Sequence, residues 1–319
     1  MAMTRTIAAA AWVLSAFASG AAAQEFPAGK AIEMTVMFGA GSAADTTARE
    51  LARGMEKTLG VPVVIINRTG AGGAIGYSWV QQQKPDGHAI IWNSNSVSTT
   101  YHSGIMPFDY TAFAAVARVS VETPAIAVRA DARWHGLKDL LEEAAANPGK
   151  FRVGNSGTGS HTHFAASALF RSNGATIINV PFTEGQAVVN LLGSRIEAAV
   201  QLPAALVPQV RSGDLRVLAV LGEDRDPVLP DVPTATEVGY PVALDMWRGI
   251  AVPAGTPAAV VEKLQDAVRD SVASPSFAEA GRTIGFVPAY LPAQDFGRLI
   301  AEDDARLARL MDGLGLKKK

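Results

Sequence analysis

The chain contains no cysteine. That excludes a disulfide framework, a thiolate metal site, a cysteine nucleophile and a lipid-bearing cysteine. Charge is also sparse: charged residues make up 18% of the chain and the formal net charge is −2. The one basic run, Lys317-Lys318-Lys319, reads as a solvated tail. No basic stripe is offered to a phosphate backbone, so nucleic acid is not an expected partner. An anion would have to be held by local dipoles, because no overall positive field exists. No Gly-x-Ser-x-Gly elbow occurs. His161 and His163 stand two apart at a helix start and so do not share a face. Neither a metal nor a cofactor is expected. Apart from the first residues, no apolar run is long enough to cross a bilayer.

The first residues read as an export signal. Arg5 is their only charge, Ile7 to Ala18 is apolar, and Ala21-Ala22-Ala23 supplies small residues before Gln24. Cleavage after Ala23 is expected, leaving 296 residues and a net charge of −3. That length suits two domains. The expected location is the periplasm.

Two glycine-rich turns stand out, one in each half. The first is Phe38-Gly39-Ala40-Gly41-Ser42-Ala43-Ala44-Asp45, and the second is Gly154-Asn155-Ser156-Gly157-Thr158-Gly159-Ser160-His161. Each follows an apolar run and opens a helical pattern. Such a unit aims free N–H groups and a positive helix end at one spot, which attracts an anion. Two of them form two jaws. Gly39-x-Gly41-x-x-Ala44 also has the form of a dinucleotide fingerprint. The acidic residue that reading needs is replaced by Asn67 and Arg68.

Apolar runs at Ile32–Phe38, 61–66 and His88–Trp92 alternate with helical patterns at Asp45–Leu59 and up to about Gln83. A further glycine-rich turn over residues 67–76, which contains Gly70-Ala71-Gly72-Gly73, and a polar loop, Asn93-Ser94-Asn95-Ser96, end two of these strands. This alternation predicts a parallel sheet. The pattern restarts at Pro124, with a capping box at Thr183-Glu184-Gly185-Gln186 and a strand ending at Gln201. After a strand at Trp247–Val252, the rest reads as helical to Leu316. Two α/β lobes follow, residues 24–122 with 247–319 and residues 123–246, meeting at a hinged cleft.

In their order and spacing these pieces resemble the substrate-binding proteins of tripartite tricarboxylate transporters, the Bug family. The resemblance covers essentially the whole chain after the signal. Its other parts are Asn67-Arg68-Thr69-Gly70-Ala71-Gly72-Gly73, Pro85-Asp86-Gly87, Asn147-Pro148-Gly149-Lys150, Val180-Pro181-Phe182 and Ala254-Gly255-Thr256-Pro257. It implies an α/β, type II periplasmic-binding-protein fold and capture of a small carboxylate through backbone amides, hydroxyls and waters. The implied partners are that ligand and the integral-membrane subunits of such a transporter; a monomer is expected. The chain departs from the family where Gly39-Ala40-Gly41-Ser42 replaces Pro-Pro-Gly-Gly, and where Gln201 stands in place of a frequent Asp.

The expected ligand contacts are Phe38, Ala40, Gly41, Ser42 and Asp45 in the first turn; Ala71, Gly72 and Gly73; and Asn93 with Ser94. In the second half they are Ser156, Gly157, Thr158, Gly159, Ser160, His161, Phe182, Thr183, Gly185 and Gln201. Asp45 suits a helix N-terminus, and the resemblance implies that it holds its turn in shape. Phe38, Phe182 and Trp92 offer a wall to an aromatic acid. Aliphatic di- or tricarboxylates and aromatic carboxylates both fit. The other function class is an exported hydrolase or oxidoreductase on the same scaffold; turnover of a bound carboxylate separates the two.

Overall fold

The computed structural model describes residues 26–182 and 186–318. The expected signal segment, Thr183 and Gly185 lie outside the described residues. In chain order the elements begin with β1 (Ile32–Val36), α1 (Ala43–Leu59), β2 (Val63–Asn67), α2 (Ala74–Gln81) and β3 (Ala89–Ser94). α3 (Ser96–His102) and β4 (Phe113–Glu122) follow. Next come β5 (Ala125–Arg129), α4 (Leu137–Ala146), β6 (Arg152–Asn155), α5 (His161–Ser172) and β7 (Ile178–Pro181). α6 (Gln186–Leu192), β8 (Ala198–Gln201), α7 (Pro203–Arg211) and β9 (Leu215–Val220) complete that stretch. The chain ends with β10 (Met246–Pro253), α8 (Ala258–Val272), α9 (Pro275–Ala280), β11 (Val287–Pro292) and α10 (Ala293–Gly313).

The strands form two sheets, β11-β4-β10-β3-β1-β2 and β7-β6-β8-β5-β9. β1 pairs parallel with β2 and β3, as their apolar runs predict. The first sheet as a whole is mixed, not parallel: β10 runs antiparallel to both β3 and β4, and β11 antiparallel to β4. The expectation of continuous helix after Val252 also fails, because β11 interrupts it as an edge strand. Its Pro288 and Pro292 are tolerated there because an edge strand has unpaired N–H positions.

Local chemistry explains the elements that position the site. α1 buries Ala44, Ala48, Leu51, Ala52 and Met55, a stripe at helical spacing. Ser42 caps its start by accepting the Asp45 N–H. Gly60, at φ 68°, ends it with an N–H to the Glu56 carbonyl. Ser160 caps α5 in the same way, through the His163 N–H. Each helix therefore starts abruptly at a strand's carboxyl end, with its N-terminus facing outward from the sheet.

The chain passes from the first sheet to the second between β4 and β5, and returns between β9 and β10. α10 crosses between them. Phe296 and Ile300 pack in one core with Trp247 and Ala251, while Leu307 and Met311 pack with Leu169 and Phe170 of the second lobe. The C-terminal helix thus belongs to both lobes, whereas the sequence assigned it to the first alone.

Candidate functional site

Between the lobes lies a cleft of about 520 Å³, its open mouth included. Phe38, Ser42, Ala43 and Ala44 line it from the start of α1; Ser160, His161 and Thr162 line it from the start of α5. The N–H groups of Ala43, Ala44 and Thr162 occupy the first two positions of their helices and have no intrahelical partner. Two helix N-termini from opposite lobes therefore converge on one space. Their partial positive charges favour an anion there.

The glycine turns themselves are arranged differently from the two-jaw picture. Several of their amides are satisfied within the turns. Asp45 Oδ2 accepts the Gly41 N–H at 3.0 Å, Asn155 Oδ1 the Gly157 N–H at 3.1 Å, and His163 Nδ1 the Gly159 N–H at 3.1 Å. Ser156 donates its N–H to the Thr162 hydroxyl at 3.0 Å. The turns shape the rim, and the helix ends behind them supply the free donors.

Asp45 is the keystone of the first turn. Besides Gly41 it accepts from Arg49 at 2.8 Å and from Asn67 Nδ2 at 2.9 Å. Burial pushes its carboxyl up, but the hydrogen bonds from Arg49, Gly41 and Asn67 together outweigh that and hold it below the usual 3.8.

Gln201, Ser156 and Phe182 line the second-lobe wall. Ser156 Oγ donates to Gln201 Oε1 at 3.0 Å, which orients the amide. Ala71, Gly72 and Gly73 lie elsewhere, in a small neighbouring cavity with Gly157. Gly72 touches the second lobe's turn directly. Asn93 and Ser94 are buried against Tyr77, whose hydroxyl donates to Asn93 Oδ1 at 2.9 Å. Ser96, two residues further on, faces the cleft instead and accepts the His161 N–H at 3.2 Å. Ala40 and Thr158 are exposed at the rim. Trp92 is fully buried in the first-lobe core, leaving Phe38 and Phe182 as the aromatic walls.

Sequence reasoning missed Arg248. It sits on β10, lines the cleft and is 2% exposed. Its Nε donates to Glu122 Oε1 at 3.1 Å, and Glu122 is fully buried. Burial pushes the Glu122 carboxyl up, against the pull of Arg248. Arg68, which follows Asn67 at the end of β2, does not line the cleft. It stacks on Trp79 at 3.4 Å and pairs with Glu33 at 2.6 Å. Among the described residues lining the cleft there is one cation and no carboxylate. No cluster of potential metal ligands is found among the described residues.

The family described as tripartite tricarboxylate transporter family receptor matches residues 47–316. BugT of Bordetella pertussis is 31% identical over 308 residues, which cover 95% of this chain and 94% of BugT. The solved structure of the periplasmic binding protein BugD aligns with a TM-score of 0.85 at 29% identity, covering 91% of this chain and 99% of its own. MatC from Rhodopseudomonas palustris, solved with bound malate, aligns with a TM-score of 0.81 at 26% identity, covering 88% of this chain and 98% of MatC.

Proposed function

The chain belongs to the tripartite tricarboxylate transporter receptor family, and on that premise we propose that it captures a small carboxylate between its lobes in the periplasm and presents it to a transporter's membrane subunits. It acts as a monomer and catalyses no reaction. The lobes divide at 122/123 and 246/247, with α10 spanning the hinge. One observation carries the reading: the inter-lobe cleft gathers two helix N-termini and the buried Arg248, with no carboxylate among its described lining residues. Such a site stabilises an anion and repels a cation. The malate held by MatC supports a carboxylate as that anion.

A thermal-shift and calorimetric screen of the mature protein over mono-, di- and tricarboxylates tests this. A ligand at 100 times its Kd adds about 2.7 kcal/mol of stability. Mass spectrometry of the incubated ligand is expected to find it unchanged. Absence of any carboxylate-dependent shift contradicts capture, and a converted ligand contradicts the non-enzymatic reading.

A further inference from the structure

Two residues that line the cleft each keep one buried atom without a hydrogen-bond partner among the described residues, and the two atoms are complementary, a donor and an acceptor. Arg248 uses Nε on Glu122, while its NH1 is buried with no acceptor. His161 is fully buried, and its Nε2 lies 2.9 Å from the Leu244 carbonyl oxygen. A carbonyl only accepts, so Nε2 carries the proton and Nδ1 is left as a bare acceptor. Burial pushes the His161 pKa down, which keeps the ring neutral and that lone pair available. Nδ1 is itself buried and without a donor. Both residues line the same cleft.

We infer that Arg248 and His161 together select a 2-hydroxycarboxylate, the guanidinium taking the carboxylate and Nδ1 accepting the hydroxyl proton. This deepens the carboxylate-capture reading and rests on it. A plain carboxylate satisfies Arg248 and leaves Nδ1 orphaned. A site built to hydrogen-bond a ligand hydroxyl discriminates strongly against the analogue that lacks it, because the unpaired group stays desolvated. An α-ammonium also carries donors for Nδ1. It would bring an unmatched cation to the positive ends of α1 and α5, because the Glu122 carboxylate is already paired with Arg248 and no described lining residue carries another. The hydroxyl supplies the donor without the charge. The remaining carboxylate of such a ligand then meets the free N–H groups of the helix starts.

The experiment is calorimetry of the mature protein with L-malate, D-malate, succinate and L-aspartate, four C4 dicarboxylates that differ at one position. One malate enantiomer is expected to bind at least tenfold more tightly than succinate and than L-aspartate. A smaller preference over either overturns the inference while leaving carboxylate capture standing. No binding by any of the four or by the wider carboxylate panel overturns both. His161→Phe should lose the preference, read as the malate-to-succinate ratio of Kd values whatever the absolute affinities; an unchanged ratio overturns the role of Nδ1. Should that variant not fold, the ¹⁵N resonance of His161 Nδ1 in the wild-type protein decides. It should shift on malate addition as the nitrogen accepts a hydrogen bond, and an unmoved resonance in the malate complex overturns the assignment.

Discussion

Gly72 lies so close to the opposite lobe that a Cβ placed on it would fall 2.4 Å from the Thr158 carbonyl oxygen. The Ser160 nitrogen would be 2.7 Å away, and Gly72 adopts φ 66°, which disfavours any side chain. Backbone therefore meets backbone where the lobes touch. The neighbouring Thr99 hydroxyl adds a bond to the Gly159 carbonyl at 2.7 Å. Gly72→Val is expected to fold but to hold the lobes apart, weakening ligand binding at least tenfold, about 1.4 kcal/mol. Calorimetry gives the affinity, and small-angle scattering should show a larger radius that no longer shrinks with ligand. Wild-type affinity would mean that this contact plays no part in capture.

Arg248 and Glu122 form a buried ion pair that borders the cleft. Arg248→Met abandons a buried carboxylate and is expected to cost about 3–5 kcal/mol of stability. Adding Glu122→Gln removes the stranded charge and restores most of that loss. It does not restore the guanidinium, so the stable double variant should still bind carboxylates poorly. Urea denaturation and calorimetry on both variants separate the two effects. Normal affinity in the double variant would remove Arg248 from the site.

Asp45 has a folded pKa below its ordinary 3.8. Its contribution to stability is therefore complete above about pH 4 and is lost as pH falls through the folded value. Asp45→Asn should lower stability at pH 7 by about 1–3 kcal/mol, the scale of a disrupted buried hydrogen-bond group. It should also make the acid-side decline shallower. Denaturation curves from pH 7 down to pH 3 test this; parallel declines in the two proteins would contradict it.

Gln201→Asp keeps an acceptor for Ser156 but places a negative charge on the cleft wall. Dicarboxylate binding should weaken by about 1–3 kcal/mol, with monocarboxylates affected less. Calorimetry against a matched mono- and dicarboxylate series measures the difference. An unchanged ranking would show that Gln201 does not face the ligand's charge.

The positions of the helix starts were legible because they depend on local signals. Ser42 and Ser160 cap helices whose apolar stripes announce them. Which amides stay free was misread, although the partners lie nearby. Asp45, Asn155 and His163 each fold back on the turn within four residues, and only the turn's geometry shows that they do. Arg248 could not be read at all. It sits in an apolar strand, and its partner Glu122 is 126 residues away on another strand. β4 escaped notice because its sequence, Phe-Ala-Ala-Val-Ala-Arg-Val-Ser-Val-Glu, has no clean period of two, being covered on both faces. α10 reads as one amphipathic helix, and nothing along it marks where its buried face passes from one lobe's core to the other's.

A crystal structure of the mature protein with its tightest-binding carboxylate tests the central claim most directly. The account predicts the ligand in the inter-lobe cleft. One carboxylate group should lie within about 3 Å of the Ala43, Ala44 or Thr162 nitrogens, and Arg248 should hold a ligand oxygen. A carboxylate bound outside the cleft, or inside it with the helix starts and Arg248 untouched, would contradict the account.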